Sequence, residues 1–311
     1  MVQNEVQVFA PATVANVACG FDTLGFAIHR PGDEVVARFC QKPGLTINMF
    51  GDGGKIPTAP EKNTAGVAAL GLMKQLGVVQ GIELDIHKGI PVGSGLGSSA
   101  CSAVAGAVAI NELLGRPLSR QELLPFALEG EAIASGGAIH ADNVGPCLLG
   151  GMVLVRSNQD LDTINIPVPQ ELFAAVVLPQ LEILTVEARN ILRKEIPMHE
   201  ATVQWGNLGG MVAGLMQSDF SLISRSLQDV IAEPYRAALI PGFYQVKQAA
   251  LNAGALGCSI SGAGPAVFAL CEGDDTAFKV GIAMQYAFKD GGIPSERFIS
   301  SINTLGAQRL K

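Results

Sequence analysis

Three glycines at alternate positions run straight into a Ser-Ser pair and a long apolar stretch in Pro91-Val92-Gly93-Ser94-Gly95-Leu96-Gly97-Ser98-Ser99-Ala100-Cys101. No other segment constrains the chain as much. Glycines so spaced leave backbone N–H groups uncovered, and Ser-Ser opens a helix whose N-terminus carries partial positive charge. The pattern predicts a phosphate cradle between a strand and a buried helix. It is not a Walker A loop, since no Lys-Ser/Thr follows the last glycine. Nor does Gly93-x-Gly95-x-Gly97 fit the dinucleotide spacing, and HRD and DFG motifs are missing from the chain. A plain glycine linker is the duller reading of the same residues.

The segment from Gly89 to Asn111 carries no charge and has to be tested as a membrane span. It fails, because its first third is punctuated by glycine and Ala rather than Leu or Ile dominates the rest. Composition excludes other classes. Lys+Arg number 21 against 28 Asp+Glu, a net charge of −7 with no basic run, so DNA and RNA are not expected partners. None of the six cysteines forms a CxxC pair and the four histidines form no HxxxH pair, so neither a zinc site nor a disulfide framework is indicated. The first Lys or Arg is Arg30, which leaves no positive n-region for a signal peptide. A reducing cytoplasm is expected, and the acidic chain with 48% apolar residues suggests a symmetric homodimer.

Alternation predicts strands over 5–8, 34–39 and 82–86. Helices fit 63–76, 98–114 and 119–134, the last opened by Ser119 and Glu122 as a capping box. Beyond the polar stretch 158–162 come a strand over 173–178 and helical patterns over 186–192, 199–216 and 220–231. A helix over 243–253, strands over 256–259 and 266–270, a helix over 275–288 and a strand over 298–302 follow. That order is a split βαβ, ferredoxin-like sandwich. The division falls at 158/159, giving units 1–158 and 159–311.

The glycine-rich segment resembles the second motif of the GHMP kinases, Pro-x-x-x-Gly-Leu-Gly-Ser-Ser-Ala, and matches it completely from Pro91 to Ala100. Pro11-Ala12-Thr13-Val14-Ala15-Asn16-Val17-Ala18-Cys19-Gly20-Phe21-Asp22 resembles the family's first motif in its homoserine kinase form, with Cys19 where Pro or Ala is often found. Gly257-Cys258-Ser259-Ile260-Ser261-Gly262-Ala263-Gly264-Pro265 resembles the third. His140-Ala141-Asp142-Asn143-Val144-Gly145-Pro146, Thr185-Val186-Glu187-Ala188-Arg189, and Asp229 with Glu233-Pro234-Tyr235-Arg236 are similar to further segments of that subfamily.

The resemblance implies an α+β, two-domain GHMP kinase fold: an N-terminal α/β domain like domain 2 of ribosomal protein S5, and a C-terminal ferredoxin-like α/β sandwich. It implies ATP-dependent phosphorylation of the L-homoserine hydroxyl in threonine biosynthesis, with Mg2+. By the same carry-over Arg189 and Arg236 grip the substrate carboxylate, and Asn16, Asp22 and Asn143 bind its amino and hydroxyl ends. Asn16, Asp22 and Thr185 orient the hydroxyl, with no general base required. Residues 91–101 hold the nucleotide phosphates, Asn63 and Lys88 are candidates for the adenine-ribose region, and Ser99 and Glu131 are the Mg2+ ligands, with Glu129 competing for the second place. Another acceptor within the family, or a non-catalytic nucleotide or amino-acid sensor, are the alternatives. Read singly, Asp22 is a turn residue, Asn143 a loop residue, Arg189 and Arg236 surface charges and His140 structural.

Overall fold

The computed structural model describes residues 4–134 and 140–310. The chain runs through β1 (Glu5–Ala15), β2 (Leu24–Cys40), β3 (Leu45–Phe50), α1 (Thr64–Gln75), β4 (Gly81–His87), α2 (Ser98–Leu113), α3 (Arg120–Ala132) and α4 (Ala141–Leu149). It continues with β5 (Met152–Ser157), β6 (Asp162–Ile166), β7 (Leu172–Pro179), α5 (Thr185–Asn190), α6 (Met198–Gln217), α7 (Phe220–Ser226) and α8 (Glu233–Arg236). Last come α9 (Phe243–Asn252), β8 (Gly257–Ile260), β9 (Val267–Glu272), α10 (Asp274–Asp290), β10 (Ser295–Ser301) and β11 (Gln308–Arg309).

Local chemistry sets most of these boundaries. Asn63 caps α1 by accepting the Gly66 N–H, and Ser119 with Glu122 forms the expected capping box on α3. The helix expected over 220–231 stops at Ser226. Asp229 is the reason: its carboxylate accepts the N–H groups of Ile231, Ala232 and Glu233 at 2.8, 3.0 and 2.8 Å, starting the short α8 instead. The stretch after His140, expected as loop, is helical from Ala141, since Ala141, Val144, Cys147 and Leu148 recur at helical spacing and all point into the core.

Seven strands form one sheet in the order β11-β1-β2-β4-β3, with β5 and β6 continuing from the other half of the long β2. All its pairings are antiparallel except β3 with β4. The second sheet has the order β10-β7-β9-β8, fully antiparallel. Its first, second, third and fourth strands in chain order lie 4-1-3-2 in space, the arrangement the ferredoxin-like reading requires. The division expected at 158/159 is displaced, because β6 pairs with β5 in the first sheet and β11 returns to β1. The change of sheet falls between Ile166 and Leu172.

The second sheet is buried on both faces, which explains why Leu172–Pro179 reads as a continuous apolar run. Ala174 and Val176 join the core of the first sheet, while Ala175 and Val177 pack with α9 and α10. Phe26 of β2 and Phe268 of β9 meet edge to face at 6.0 Å across this junction. Helix α2 is enclosed nearly all round, and its alanines let α1 and α3 approach closely. Gly130 shows how closely: a Cβ there would lie 2.3 Å from the Thr64 carbonyl oxygen. Among the described residues no helix is long and apolar enough to cross a membrane.

Phe268→Ala should cost about 3–5 kcal/mol. Urea denaturation followed by circular dichroism checks this, and both sheets are expected to unfold together.

Candidate active site

The phosphate loop leaves β4 and enters α2 with Gly93, Gly95 and Gly97 at φ of 69, 77 and 68°, a conformation only glycine adopts without strain. Two other segments press against it. A Cβ on Gly95 would sit 2.6 Å from the Ser261 carbonyl oxygen and 2.7 Å from that of Gly264, and one on Gly97 would sit 2.2 Å from Thr13 Oγ1. The Ser261 hydroxyl donates to Gly95 O at 2.7 Å, Ala266 N–H to Ser94 O at 3.1 Å, and Thr13 N–H to Leu96 O at 3.2 Å. The turn between β8 and β9 and the end of β1 therefore hold the loop from two sides.

After β1 the chain makes a left-handed turn through three consecutive non-glycine residues, Asn16, Val17 and Ala18 at φ 69, 38 and 56°, and Asp22 follows at 57°. Such residues cost on the order of 1–3 kcal/mol each unless surrounding structure fixes them. Asn16 does the fixing: its Oδ1 accepts the Asp22 N–H at 3.0 Å and its Nδ2 donates to Gly262 O at 2.8 Å. Both amide atoms of a side chain expected to bind substrate are thus bonded to the chain itself. Cys19 is buried within the turn, with its thiol pushed up to about 12 by desolvation.

Asp22 projects from this turn into a cleft of about 410 Å³ that the phosphate loop also lines. Arg189 at the end of α5 clasps it with Nη1 and Nη2, each 3.1 Å from a carboxylate oxygen, and His140 Nδ1 lies 3.5 Å away. Arg236, 3% exposed, donates Nε to Ala188 O at 3.1 Å and Nη1 to Gly262 O at 2.9 Å. Both guanidinium groups lie over the Phe21 ring, at 5.8 Å for Arg189 and 5.2 Å for Arg236. Burial lowers the His140 pKa and the two arginines add to that, against the pull of Asp22. Asp142 is buried beside Asp22; desolvation and that neighbour raise it to about 7, although the Asn16 N–H opposes the shift. Asn143 accepts the Thr13 hydroxyl at 2.8 Å, and Thr185 lines the cleft from the start of α5.

On the nucleotide side, Glu131 reaches the cleft from the last turn of α3. Burial pushes its carboxyl up to about 7, opposed by a hydrogen bond with Ser99 and by the Lys88 charge. Glu129 lies elsewhere, over Gly71 of α1. The Ala132-x-x-Ser135-Gly136 run that singled out Glu131 extends beyond the described residues. Among those described, no three His, Cys, Asp or Glu side chains are grouped to hold a metal by themselves. A single carboxylate beside a hydroxyl at a phosphate cradle nevertheless fits Mg2+, which takes few protein ligands and completes its shell with phosphate oxygens and water.

Several expected residues have side chains bonded within the protein, although Lys88 also lines the cleft. Asn63 is buried, its side chain engaged with Gly66 N, Pro57 O and Met49 Sδ, and so serves the helix cap rather than an adenine-ribose subsite. Lys88 runs beneath the phosphate loop, bonded to Asp33, Ser98 O and Ser102. Leu96, Ala100 and Cys101 are fully buried, so only their backbone belongs to the loop's working face, and Pro91 does not line the cleft. Phe21, Asp33 and Asp142 were missed as site residues. Phe21 was the legible one, an aromatic ring set between Gly20 and Asp22.

The sequence of the GHMP kinases N terminal domain matches residues 63–151 and that of the GHMP kinases C terminal domain matches residues 211–290. The chain belongs to the GHMP kinase family. Within it, the chain is 49% identical to a homoserine kinase of Chlorobium phaeovibrioides, covering 98% of this chain and 99% of the relative, and 41% identical to one of Xylella fastidiosa, covering 99% and 94%. The crystal structure of homoserine kinase from Cytophaga hutchinsonii superposes with a TM-score of 0.97 at 52% identity, covering 100% of this chain and 98% of that one. A mevalonate kinase of L. major, at 18% identity and a TM-score of 0.72, shares the fold.

The two raised carboxyls give the ligand-free protein a pH dependence. Between the ordinary carboxylate range and about 7, folded Asp142 and Glu131 hold protons that the unfolded chain has released. Stability therefore falls as pH rises across that window and levels off above it. Thermal midpoints measured against pH should show this slope, and Asp142→Asn should remove part of it.

Proposed function

We propose that this protein transfers the terminal phosphoryl group of ATP to the hydroxyl of L-homoserine, giving O-phospho-L-homoserine for threonine synthesis. The observation that carries the reading is the placing of two arginines and an aspartate, matched to a zwitterionic amino acid, in the cleft lined by a phosphate-binding loop. Its relatives are kinases of that substrate by name.

Backbone N–H groups from Gly93 to Ser99 take the nucleotide phosphates, aided by the N-terminus of α2. Ser99 and Glu131 hold Mg2+, which when bound neutralises phosphate charge. Arg189 and Arg236 take the substrate carboxylate by charge-assisted hydrogen bonds, and Asp22 takes the ammonium. The Asp22–Arg189 pair therefore opens to give each partner one end of the zwitterion. Asn143 and Thr185 orient the hydroxyl. Alignment and charge neutralisation provide most of the catalysis in phosphoryl transfer, so a strong base is not needed. A reducing cytoplasm is the setting this reading takes, and the acidic, apolar-rich composition supports a homodimer.

The test is ADP release with Mg-ATP and L-homoserine, D-homoserine, L-threonine, mevalonate or galactose at equal concentration. Turnover should be confined to L-homoserine. Equal or greater turnover with another acceptor would move the chain to a different substrate, and ATP binding without turnover would make it a sensor. Arg189→Ala should raise KM for L-homoserine roughly 10- to 100-fold, the loss of hydrogen bonds to a charged group, and leave KM for ATP nearly unchanged.

A further inference from the structure

Beneath the phosphate loop lies a buried ion pair that the reading above does not use. The side chains of Lys88 and Asp33 are 3% and 0% exposed, with Lys88 Nζ 2.5 Å from Asp33 Oδ2. Asp33 belongs to β2, a framework strand, and its other oxygen accepts the N–H groups of Gly89 and Ile90 at 3.0 and 3.3 Å, where the chain enters the loop. Lys88 donates also to Ser98 O at 2.9 Å and to Ser102 Oγ at 2.8 Å, where the chain leaves the loop for α2. The Ser102 hydroxyl donates to Asp33 Oδ2 at 2.7 Å, and the Ser98 hydroxyl donates to Ile90 O at 2.9 Å, joining the two ends directly.

A buried ion pair is a poor device for stability alone, since apolar side chains of similar volume generally serve as well. What it provides here is fixed geometry. The three loop glycines give the segment wide conformational freedom, and a cradle binds phosphate well only when its N–H groups are held in place beforehand. We propose that Lys88, Asp33 and Ser102 are positioning residues for the nucleotide: they lock both ends of the phosphate loop to β2, and their loss weakens nucleotide binding while sparing the amino-acid subsite. This rests on the kinase reading for its consequence in turnover, but nucleotide binding tests it independently.

Ser102→Ala removes two bonds of the clamp, one from Lys88 and one to Asp33, without leaving a bare charge, and the double substitution Lys88→Met with Asp33→Asn removes both charges together. Calorimetric titration with ADP should show Kd raised about 5-fold in the first and at least 10-fold in the second. Kd for L-homoserine, titrated separately, should stay within about twofold in both. Amide hydrogen exchange should quicken over residues 89–98 and not in α6. An ADP Kd within about twofold of the parent in Ser102→Ala overturns the proposal, as does a matching loss for both ligands. If the double variant does not fold, Ser102→Ala decides alone. Should the parent bind ADP but phosphorylate no acceptor, the function assigned above fails while the clamp is still judged by these affinities.

Discussion

Backbone packed against backbone is the contact on which the rest of this structure depends. Gly95 lies so near the carbonyls of Ser261 and Gly264 that no side chain fits between them, and Asn16 reaches across to Gly262 from the other side. Segments nearly 250 residues apart in the chain thereby meet at one point, where the first sheet's β1 and β4 and the second sheet's β8–β9 turn come together. The left-handed run through Asn16, Val17 and Ala18 is tolerable only because that meeting fixes it, and Asp22 owes its direction to the same turn. Strain and site are consequences of one close approach.

Charge is distributed unevenly over the cleft. At the amino-acid end two guanidinium groups lie near the Phe21 ring and Arg189 clasps Asp22, with His140 driven toward its neutral form beside them. At the phosphate end the donors are mostly backbone N–H groups, and the Glu131 carboxyl is pushed toward protonation by burial. Asp22 is thus held by Arg189 at one end of the cleft, and Glu131 is held toward its protonated form by burial at the other.

Much of this could be read from residue types. The glycine spacing located the loop, Ser119 and Glu122 located the start of α3, and the order of apolar runs gave the 4-1-3-2 sheet. Where reading failed, long-range contacts had decided the outcome. The polar Asn48 hid β3, because its bonds to Glu83 and Asp85 exist only once β4 lies alongside. Asp229 broke a helix whose periodicity continued past it. The site residues divided in the same way: Asp22, Arg189 and Arg236 converge on one cleft, whereas Asn63 and Lys88 carry side chains equally suited to ligand or framework. The fold shows both side chains bonded within the framework, with Lys88 at the wall of the cleft as well.

The second sheet, buried on both faces, limits how the protein can move. Phe26 and Phe268 interlock within a core that runs without a break from one sheet into the other. Among the described residues one apolar cluster spans both sheets. Adjustment to a ligand is left to the segments that border the cleft above that core, such as the strap from Glu182 to Val186, whose Glu182 meets Lys55 across the entrance at 3.0 Å. In mechanical terms the two sheets form one block, and the cleft lies at its rim.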